Sequence, residues 1–238
     1  MIKQIKELVK KIPIAFTKNQ RYDLQTRHAI RKICSARSNC IDVGCHKGEI
    51  LEFIRKISPL GTHFGFEPIP SLVDKLKRKF RGTNCKIFQL AISNSRGRSP
   101  FNYVITNPSY SGLKKRRYDR SGEKDVEIMV DTDLLDNIIP YEVKIDFIKI
   151  DVEGAELLVL EGAKNLIRKD KPVIVFEYGI GGSDYYEPDP ARIFTLISDY
   201  GLKVSLLERW LNDLPAMDVE EFKNQYFQRL NFFFVAYP

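Results

Sequence analysis

The sequence has few of the features that mark a secreted, zinc-binding or membrane-spanning protein. Its four cysteines form no Cys-x-x-Cys pair and have no histidine at metal-site spacing, so we expect reduced thiols. No run approaches the ~20 apolar residues of a membrane span. The N-terminus also lacks the pattern of a secretory signal peptide. These absences predict a protein that stays in the cytoplasm.

Charge of one sign is in excess, and the excess is local. The net charge is +7, with lysines concentrated in residues 1–12 and a second basic cluster at Lys114–Arg117. Basic clusters attract phosphate groups on nucleic acids, lipids or small substrates. Residues 1–12 also place apolar side chains on one helical face, a pattern that fits either packing on the domain or contact with a membrane surface. We interpret residues 1–37 as a helical arm or lid, from which Tyr22 offers a polar contact to a ligand.

The stretch Cys40–Glu49 predicts a buried strand, a glycine turn and the start of a helix. Gly44 lets the chain turn sharply, Gly48 lets a ligand approach the backbone, and Asp42 is placed to orient loop amides or meet a cation. His46 lies in the turn, where its backbone is expected to matter more than its ring. Because the third glycine of a dinucleotide fingerprint is missing, the spacing favours S-adenosylmethionine (SAM) over NAD.

The next strand ends in Glu67-Pro68, and the strand after it leads into Ala91-Ile92-Ser93-Asn94. An acidic residue roughly 20 positions after the glycine turn binds ribose hydroxyls in such units. The alternative is that Glu67 only caps the following helix, for which Ser71 is the better cap. Ligands of open α/β sheets bind at the carboxyl ends of strands. The residues expected to flank the adenine are Ala91, Ile92 and Asn94.

The segment Asp146–Asp151 predicts another buried strand, and period-two alternation puts Lys149 and Asp151 on one side of it. Glu177 ends the strand expected beside it, so Asp151, Glu153 and Glu177 are the candidate catalytic residues. Methyl transfer to a hydroxyl needs an in-line approach and a proton acceptor, which a carboxylate provides. The alternative is that these carboxylates cap a helix and complement its dipole. A metal could use the cluster, but no ligand set in the sequence demands one.

Residues 99–135 alternate like a hairpin around a long, polar and basic loop. A loop of ~20 residues inside a compact domain is usually functional or disordered. We therefore expect a mobile loop that faces the substrate, with Tyr110, Lys114 and Arg116 near an acceptor. The charge of the cluster favours an anionic acceptor, such as a phosphorylated or nucleotide-linked sugar.

Taken together, these motifs resemble the FkbM family of SAM-dependent methyltransferases. The stretches that carry the resemblance are Ile41–Glu49, Phe66–Pro68, Ala91–Asn94, Phe147–Glu156 and Val175–Glu177. The most specific is Ile-Lys-Ile-Asp-Val-Glu-Gly-Ala-Glu, at residues 148–156. The resemblance runs from about Tyr22 to Tyr178 and implies a Rossmann-like, mostly parallel seven-strand sheet with helices on both faces. We expect the whole domain to span residues 38–238. The resemblance also implies O-methylation of a sugar, glycan or secondary-metabolite hydroxyl, with S-adenosylhomocysteine (SAH) as product. The family often has Ala at position 45 and Asp at position 94, where this chain has Cys45 and Asn94.

Two other functions remain open from the sequence. Asn107-Pro-Ser-Tyr110 is similar to the Asn-Pro-Pro-Tyr motif of amino-methyltransferases, and the positive net charge fits a nucleic-acid substrate. However, too few residues separate Leu90 from Phe101 for the helix that must precede that motif, so nucleic acid is not the expected partner. The other alternative is a SAM-binding module without catalysis. It would bind SAM but methylate no hydroxyl acceptor.

Overall fold

The computed structural model describes residues 17–118, 122–186 and 188–238, so the amphipathic pattern of residues 1–12 lies outside the described part. Its strands are β1 (Cys40–Val43), β2 (His63–Phe66), β3 (Cys85–Phe88), β4 (Ala91–Ile92), β5 (Gly97–Val104), β6 (Asp125–Asp133), β7 (Phe147–Ile150), β8 (Val173–Glu177), β9 (Lys203–Leu206) and β10 (Phe233–Tyr237). Its helices are α1 (Lys18–Ile33), α2 (Glu49–Ile57), α3 (Pro70–Lys79), α4 (Leu135–Ile138), α5 (Glu156–Glu161), α6 (Lys164–Asp170), α7 (Pro190–Asp199), α8 (Leu207–Leu211) and α9 (Val219–Phe227).

Seven strands form the main sheet, in the order β3-β2-β1-β7-β8-β10-β9. The pairs from β3 to β8 are all parallel, and β10 runs antiparallel to both of its neighbours. The prediction of a mostly parallel seven-strand sheet is therefore confirmed. None of the helices in the described residues is both long enough and apolar enough to cross a bilayer.

Helices cover both faces of the sheet because its central strands are apolar on both sides. In β1, Cys40 packs in the cluster that includes residues of α1, α2 and α8, whereas Ile41 and Val43 pack in the cluster that includes residues of α5, α6, α7 and α9. This alternation follows from the period of two in a strand. Asp42 therefore belongs to the α1 side of the sheet.

The insertion is a second, three-stranded sheet in the order β4-β6-β5. Strands β5 and β6 form an antiparallel hairpin, and β4 pairs in parallel with β6. Phe101 and Val130 of the hairpin pack with Ile69 and Leu72 at the start of α3. This packing places the hairpin beside the carboxyl end of β2.

Three local features show how these elements begin and end. Helix α5 ends at Glu161 and α6 starts at Lys164; between them, Gly162 packs so closely that a Cβ there would lie 2.0 Å from the Ser93 carbonyl oxygen. Strand β9 ends at Leu206 and continues directly as α8. Helix α3 begins at Pro70, whose fixed φ suits the first helical position, so Ser71 is not its cap.

Candidate functional site

Two adjoining cavities lie at the carboxyl ends of β1, β7 and β8. The small cavity has a volume of about 150 Å³ and the large cavity about 560 Å³. The strand order reverses between β1 and β7, and ligands of open α/β sheets bind at such a switch point. The residues that line both cavities are Gly44, His46, Ser109, Asp151 and Glu153.

The small cavity has mainly apolar walls. Its wall contains Pro68, Ala91 and Ile92, three residues that the sequence assigns to a cofactor site. Phe101 and Leu113 of the insertion close the cavity on the other side. Glu67 supplies a buried carboxylate, with 4% of its surface exposed. The cavity therefore suits a flat, largely apolar group that carries neighbouring hydroxyl groups.

Glu67 fastens the glycine turn to the start of α3. The His46 N–H donates to Glu67 Oε2 and the Ile69 N–H donates to Glu67 Oε1, each at 3.0 Å. Burial raises the pKa of Glu67 to about 7, although these two hydrogen bonds oppose the rise. Each carboxylate oxygen keeps a second lone pair, so Glu67 can still accept a hydrogen bond from a ligand hydroxyl.

Both glycines of the turn pack so closely against other parts of the protein that neither position has room for a side chain. Gly44 has φ +75°, and a Cβ there would lie 1.9 Å from the Asp151 carbonyl oxygen. Gly48 has φ +67° and caps α2, and its Cβ would lie 2.7 Å from Leu76 and 2.8 Å from Phe80. Gly48 lines neither cavity, so the expectation that a ligand approaches its backbone is not matched by its position.

The buried Asp42 and Lys149 and the partly exposed Asp151 form a row at the floor of the large cavity. Strand register pairs Asp42 with Lys149, and the Lys149 Nζ lies 3.9 Å from Asp42 Oδ1 and 2.9 Å from Asp151 Oδ2. Burial raises the pKa of Asp42 to about 6. Burial alone would lower the pKa of Lys149, but the charges of Asp151 and Asp42 outweigh it and raise that pKa. Lys149 therefore carries a positive charge between two carboxylates.

The candidate catalytic carboxylates Asp151, Glu153 and Glu177 come together at the end of β7 and β8. One oxygen from each lies within 4.8 Å of the others, a set that could hold a metal ion. Burial and the Asp151 charge raise the pKa of Glu177 far above its usual value, and they raise that of Glu153 to about 8. Asp151 has a lowered pKa because Lys149 and hydrogen bonds from Glu177 and Lys149 outweigh its burial. At neutral pH the pair of Asp151 and Glu177 therefore shares one proton.

The insertion and the arm helix close the large cavity from two sides. Arg116, which is largely buried, forms an ion pair with Glu153, and its guanidinium lies 5.0 Å from the Tyr110 ring centroid. From α1, Tyr22 and Asp23 line the cavity, and the Tyr22 hydroxyl donates to Asn231 Oδ1 at 2.8 Å. Burial raises the pKa of Asp23. The large cavity is therefore rich in carboxylates and has cations at Lys149 and Arg116.

Two further predicted residues lie outside both cavities. Asn94 donates from Nδ2 to Glu161 Oε2 at 2.7 Å and does not line the small cavity. It lies beyond Ile92 on the exposed turn between β4 and β5, so the chain has already left the sheet edge. The Lys114 N–H donates to the Tyr186 hydroxyl at 2.8 Å, and the Lys114 side chain also faces away from the large cavity, toward a third one.

Sequence reasoning missed the roles of Lys149, Glu49 and the Arg116–Glu153 pair. The role of Lys149 could have been predicted, because side chains two residues apart in a strand lie on the same side, which places Lys149 next to Asp151. Glu49 lines the large cavity from the first turn of α2, which the turn motif alone could have suggested. The Arg116–Glu153 contact joins residues 37 positions apart, and no local pattern reports it.

Comparison with known proteins gives a consistent assignment. A family model described as the methyltransferase FkbM domain matches residues 42–204, more than half of the 238-residue chain. The curated protein "Methyltransferase sdnD" of Sordaria araneosa is 28% identical over an alignment of 152 residues. The match covers 51% of this chain and only 59% of that relative.

The same fold is found in the crystal structure of methyltransferase FkbM from Methylobacillus flagellatus KT. The two structures superpose with a TM-score of 0.53 and are 17% identical in sequence. The superposition covers 86% of this chain and 44% of the M. flagellatus chain. Because the family model matches more than half of the chain and includes most strands of the Rossmann-like sheet, the chain belongs to the FkbM family of SAM-dependent methyltransferases.

Proposed function

We propose that this protein is an O-methyltransferase that transfers a methyl group from SAM to a hydroxyl of a sugar, glycan or secondary metabolite. The observation that carries the proposal is the meeting of Asp151 and Glu177 at the wall of the large cavity, with the Lys149 ammonium 2.9 Å from Asp151 Oδ2. A hydroxyl must lose its proton when it accepts a methyl group, so the site needs a proton acceptor. Asp151 is the carboxylate that is ionised at neutral pH.

The residues present fit SAM. The small cavity accepts the adenine, and the free lone pairs of Glu67 accept the ribose hydroxyls. In the large cavity, His46 Nε2 has no hydrogen-bond partner among the described residues, and the buried Asp42 has the Lys149 ammonium 3.9 Å from its Oδ1. These buried polar atoms, together with the surrounding carboxylates, suit the ammonium and sulfonium charges of SAM. When bound, SAM supplies an electrophilic methyl group and leaves as SAH.

The chain's own residues position and deprotonate the acceptor. Asp151 would accept the proton that the acceptor hydroxyl loses when it takes up the methyl group. Glu177, which is protonated, donates a hydrogen bond to Asp151 and keeps its carboxylate in place. Lys149 stabilises the ionised form of Asp151 before the acceptor binds. The insertion and α1 limit the access of water to these groups.

An anionic acceptor is supported by one residue of the basic cluster. Arg116 lines the large cavity, whereas Lys115 pairs with Asp125 at 2.6 Å on the hairpin. We therefore expect Arg116 to contact a negative group of the acceptor, with Tyr110 and Tyr22 as neighbouring contacts. The cytoplasm remains the predicted location, in keeping with four free cysteines.

Methylation of an amino group is less well supported. The Asn107–Tyr110 segment lies on the insertion, after β5, and not at the end of a main-sheet strand. Ser109 and Tyr110 line the large cavity, but Asn107 lines neither cavity. An Asn-Pro-x-Tyr motif needs its asparagine amide at the reacting nitrogen, so O-methylation fits better.

The first test is calorimetric titration with SAM and with SAH. We expect Glu67→Ala to weaken SAM binding by about tenfold or more, because charged hydrogen bonds are worth about 1.5–3 kcal/mol. Glu67→Gln, which keeps one acceptor oxygen, should lose less SAM affinity than Glu67→Ala. Glu127→Ala, an exposed carboxylate on the hairpin, is the control and should bind SAM as the wild type does.

Acceptor turnover then separates an enzyme from a binding module. SAH release should follow the addition of hydroxyl acceptors, and anionic sugars should be preferred over neutral ones. If the wild type binds SAM but methylates none of a broad set of hydroxyl compounds, the catalytic part of the proposal is wrong. If the wild type does not bind SAM, the whole proposal falls.

A further inference from the structure

A third cavity, of about 540 Å³, lies beside the catalytic cavities and collects positive charge. We call it the basic cavity. Its cations are Arg96, Arg98, Lys114 and Arg192. They come from the β4–β5 turn and the adjoining start of β5, from the insertion loop and from α7. Three separate segments of the chain therefore bring cations to one concave surface, which differs from the charged face of a single helix.

These cations are only partly neutralised by protein groups. Arg192 pairs with Glu161 at 2.6 Å, and Glu161 is the acidic residue in the lining of the basic cavity. Arg96 and Arg98 are 80% and 66% exposed, and each lies at 3.5 Å or more from its nearest paired carboxylate. Such long, exposed ion pairs contribute little to stability, so the two arginines can leave their carboxylate partners to bind a ligand.

Lys114 completes the set. Its ammonium lies 5.1 Å from the Tyr186 ring centroid, and Lys114 forms no ion pair with a carboxylate among the described residues. Hydroxyl donors stand nearby at Ser93, Ser95 and Ser99 in the lining. Guanidinium groups bind phosphate in a bidentate manner, and hydroxyls and ammonium groups add single hydrogen bonds.

We propose that the basic cavity binds the diphosphate group of a soluble, nucleotide-linked acceptor. A diphosphate, with two adjacent negative groups, can contact cations from several segments at once, which a single carboxylate cannot. The cavity is close to the reaction centre: Leu113 lines both it and the small cavity, and its wall residue Gly154 directly follows Glu153. The identity of the ligand as an acceptor rests on the proposed methyltransferase function, whereas diphosphate binding itself does not.

The test is calorimetric titration of the full chain with inorganic pyrophosphate and with orthophosphate. Pyrophosphate should bind more tightly than orthophosphate. The double variant Arg96→Gln/Arg98→Gln should weaken pyrophosphate binding by about tenfold, because two charge-assisted contacts are removed from an exposed site. The matched control is Lys77→Gln/Arg78→Gln, which removes two exposed cations from α3 and should change pyrophosphate binding by less than about twofold.

Titration of the same proteins with SAM shows whether a negative result concerns the basic cavity or the proposed methyltransferase function. We expect unchanged SAM affinity in both double variants. If SAM binds normally but Arg96→Gln/Arg98→Gln leaves pyrophosphate affinity unchanged, the basic cavity is not the site. An equal loss in the Lys77/Arg78 variant would show only general attraction to a positive protein, which also overturns the proposal. Pyrophosphate binding without any SAM binding would leave a phosphate site but remove its role in methyl transfer.

Discussion

At the scale of single residues, the neighbouring ends of β7 and β8 set the chemistry of the site. Asp151 follows β7 and Glu177 ends β8, so parallel pairing brings their partly exposed carboxyl groups together. Two carboxylates at this distance cannot both ionise without a large cost. Lys149 lies against Asp151, so the charge settles on Asp151 and the proton on Glu177.

This asymmetry predicts different results for two isosteric substitutions. Asp151→Asn should reduce methyl transfer by about a hundredfold or more, the usual contribution of a general base, while SAM affinity stays nearly constant. Glu177→Gln imitates the protonated carboxyl and should cost about tenfold or less. Steady-state turnover together with SAM titration measures both effects. If Asp151→Asn were as active as the wild type, the carboxylate would serve only to cap the following turn.

The glycine turn shows what a sequence can predict about single residues. The positions of Gly44 and Gly48 predict a turn correctly, because both have positive φ. The groups that pack against these two glycines could not be predicted. A glycine that leaves room for a ligand and a glycine that leaves room for Leu76 or the Asp151 carbonyl are identical in the sequence. Only the contacts between distant segments in the folded protein show whether a ligand or a protein group requires the glycine.

At the scale of elements, the strands of the sheet could be predicted and the contacts of the insertion could not. The buried strands ending near Asp42, Glu67 and Asp151 have continuous apolar runs, which make their ends recognisable. In contrast, Asn94 and Lys114 meet in the basic cavity because the β4–β5 turn lies next to the insertion loop. That contact depends on tertiary packing and has no local signal.

The insertion loop is attached to a second loop by two tyrosines. The Lys114 N–H donates to the Tyr186 hydroxyl and the Arg117 N–H donates to the Tyr185 hydroxyl, each at 2.8 Å. Both tyrosines belong to a short 3₁₀ turn, Ser183–Tyr186, that follows β8. The loop that carries Arg116 is therefore held against the end of the strand that carries Glu177.

Removing both hydroxyls should loosen the insertion loop without unfolding the domain. In Tyr185→Phe/Tyr186→Phe, we expect hydrogen exchange of residues 112–118 to accelerate by up to about tenfold, because each lost bond is worth about 0.5–1.5 kcal/mol. The KM for the acceptor should rise, with SAM affinity unchanged. The control is Tyr141→Phe, at a tyrosine that is 81% exposed. Faster exchange throughout the main sheet would instead indicate global destabilisation.

At the scale of the whole molecule, a basic chain surrounds an acidic interior. The net charge is +7, yet buried carboxyl groups line the site. Burial raises the pKa of Asp42 to about 6, of Glu67 and Glu156 to about 7 and of Glu153 to about 8. Folding therefore takes up protons near neutral pH, and the SAM-free protein stores an electrostatic cost that a positively charged ligand can relieve.

The sign of the pH dependence follows from these shifts. Unfolded carboxyl groups lose their protons near pH 4, whereas the folded groups keep theirs until about pH 6–8, so the native state binds more protons in between. The free energy of unfolding should therefore fall as pH rises from about 6.5 to 8.5. In this range Asp151, with a lowered pKa, and Lys149, with a raised one, do not change charge. His46 and His63 have pKa values lowered by burial, so their opposing contribution lies mainly below this range.

Urea unfolding of the SAM-free protein should show a loss on the order of 4 kcal/mol across this interval. Glu156→Gln should flatten the slope by up to about 1.4 kcal/mol per pH unit, because an amide cannot ionise. The variant should still fold, since its remaining oxygen can accept from the Val152 and Gly154 N–H groups that now bond to Glu156 Oε1, each at 3.1 Å. Stability that is constant or rises with pH would mean that these carboxyl groups are ionised in the folded state. The acidic site would then be neutralised by the chain's own cations, and a positive ligand would gain little from binding there.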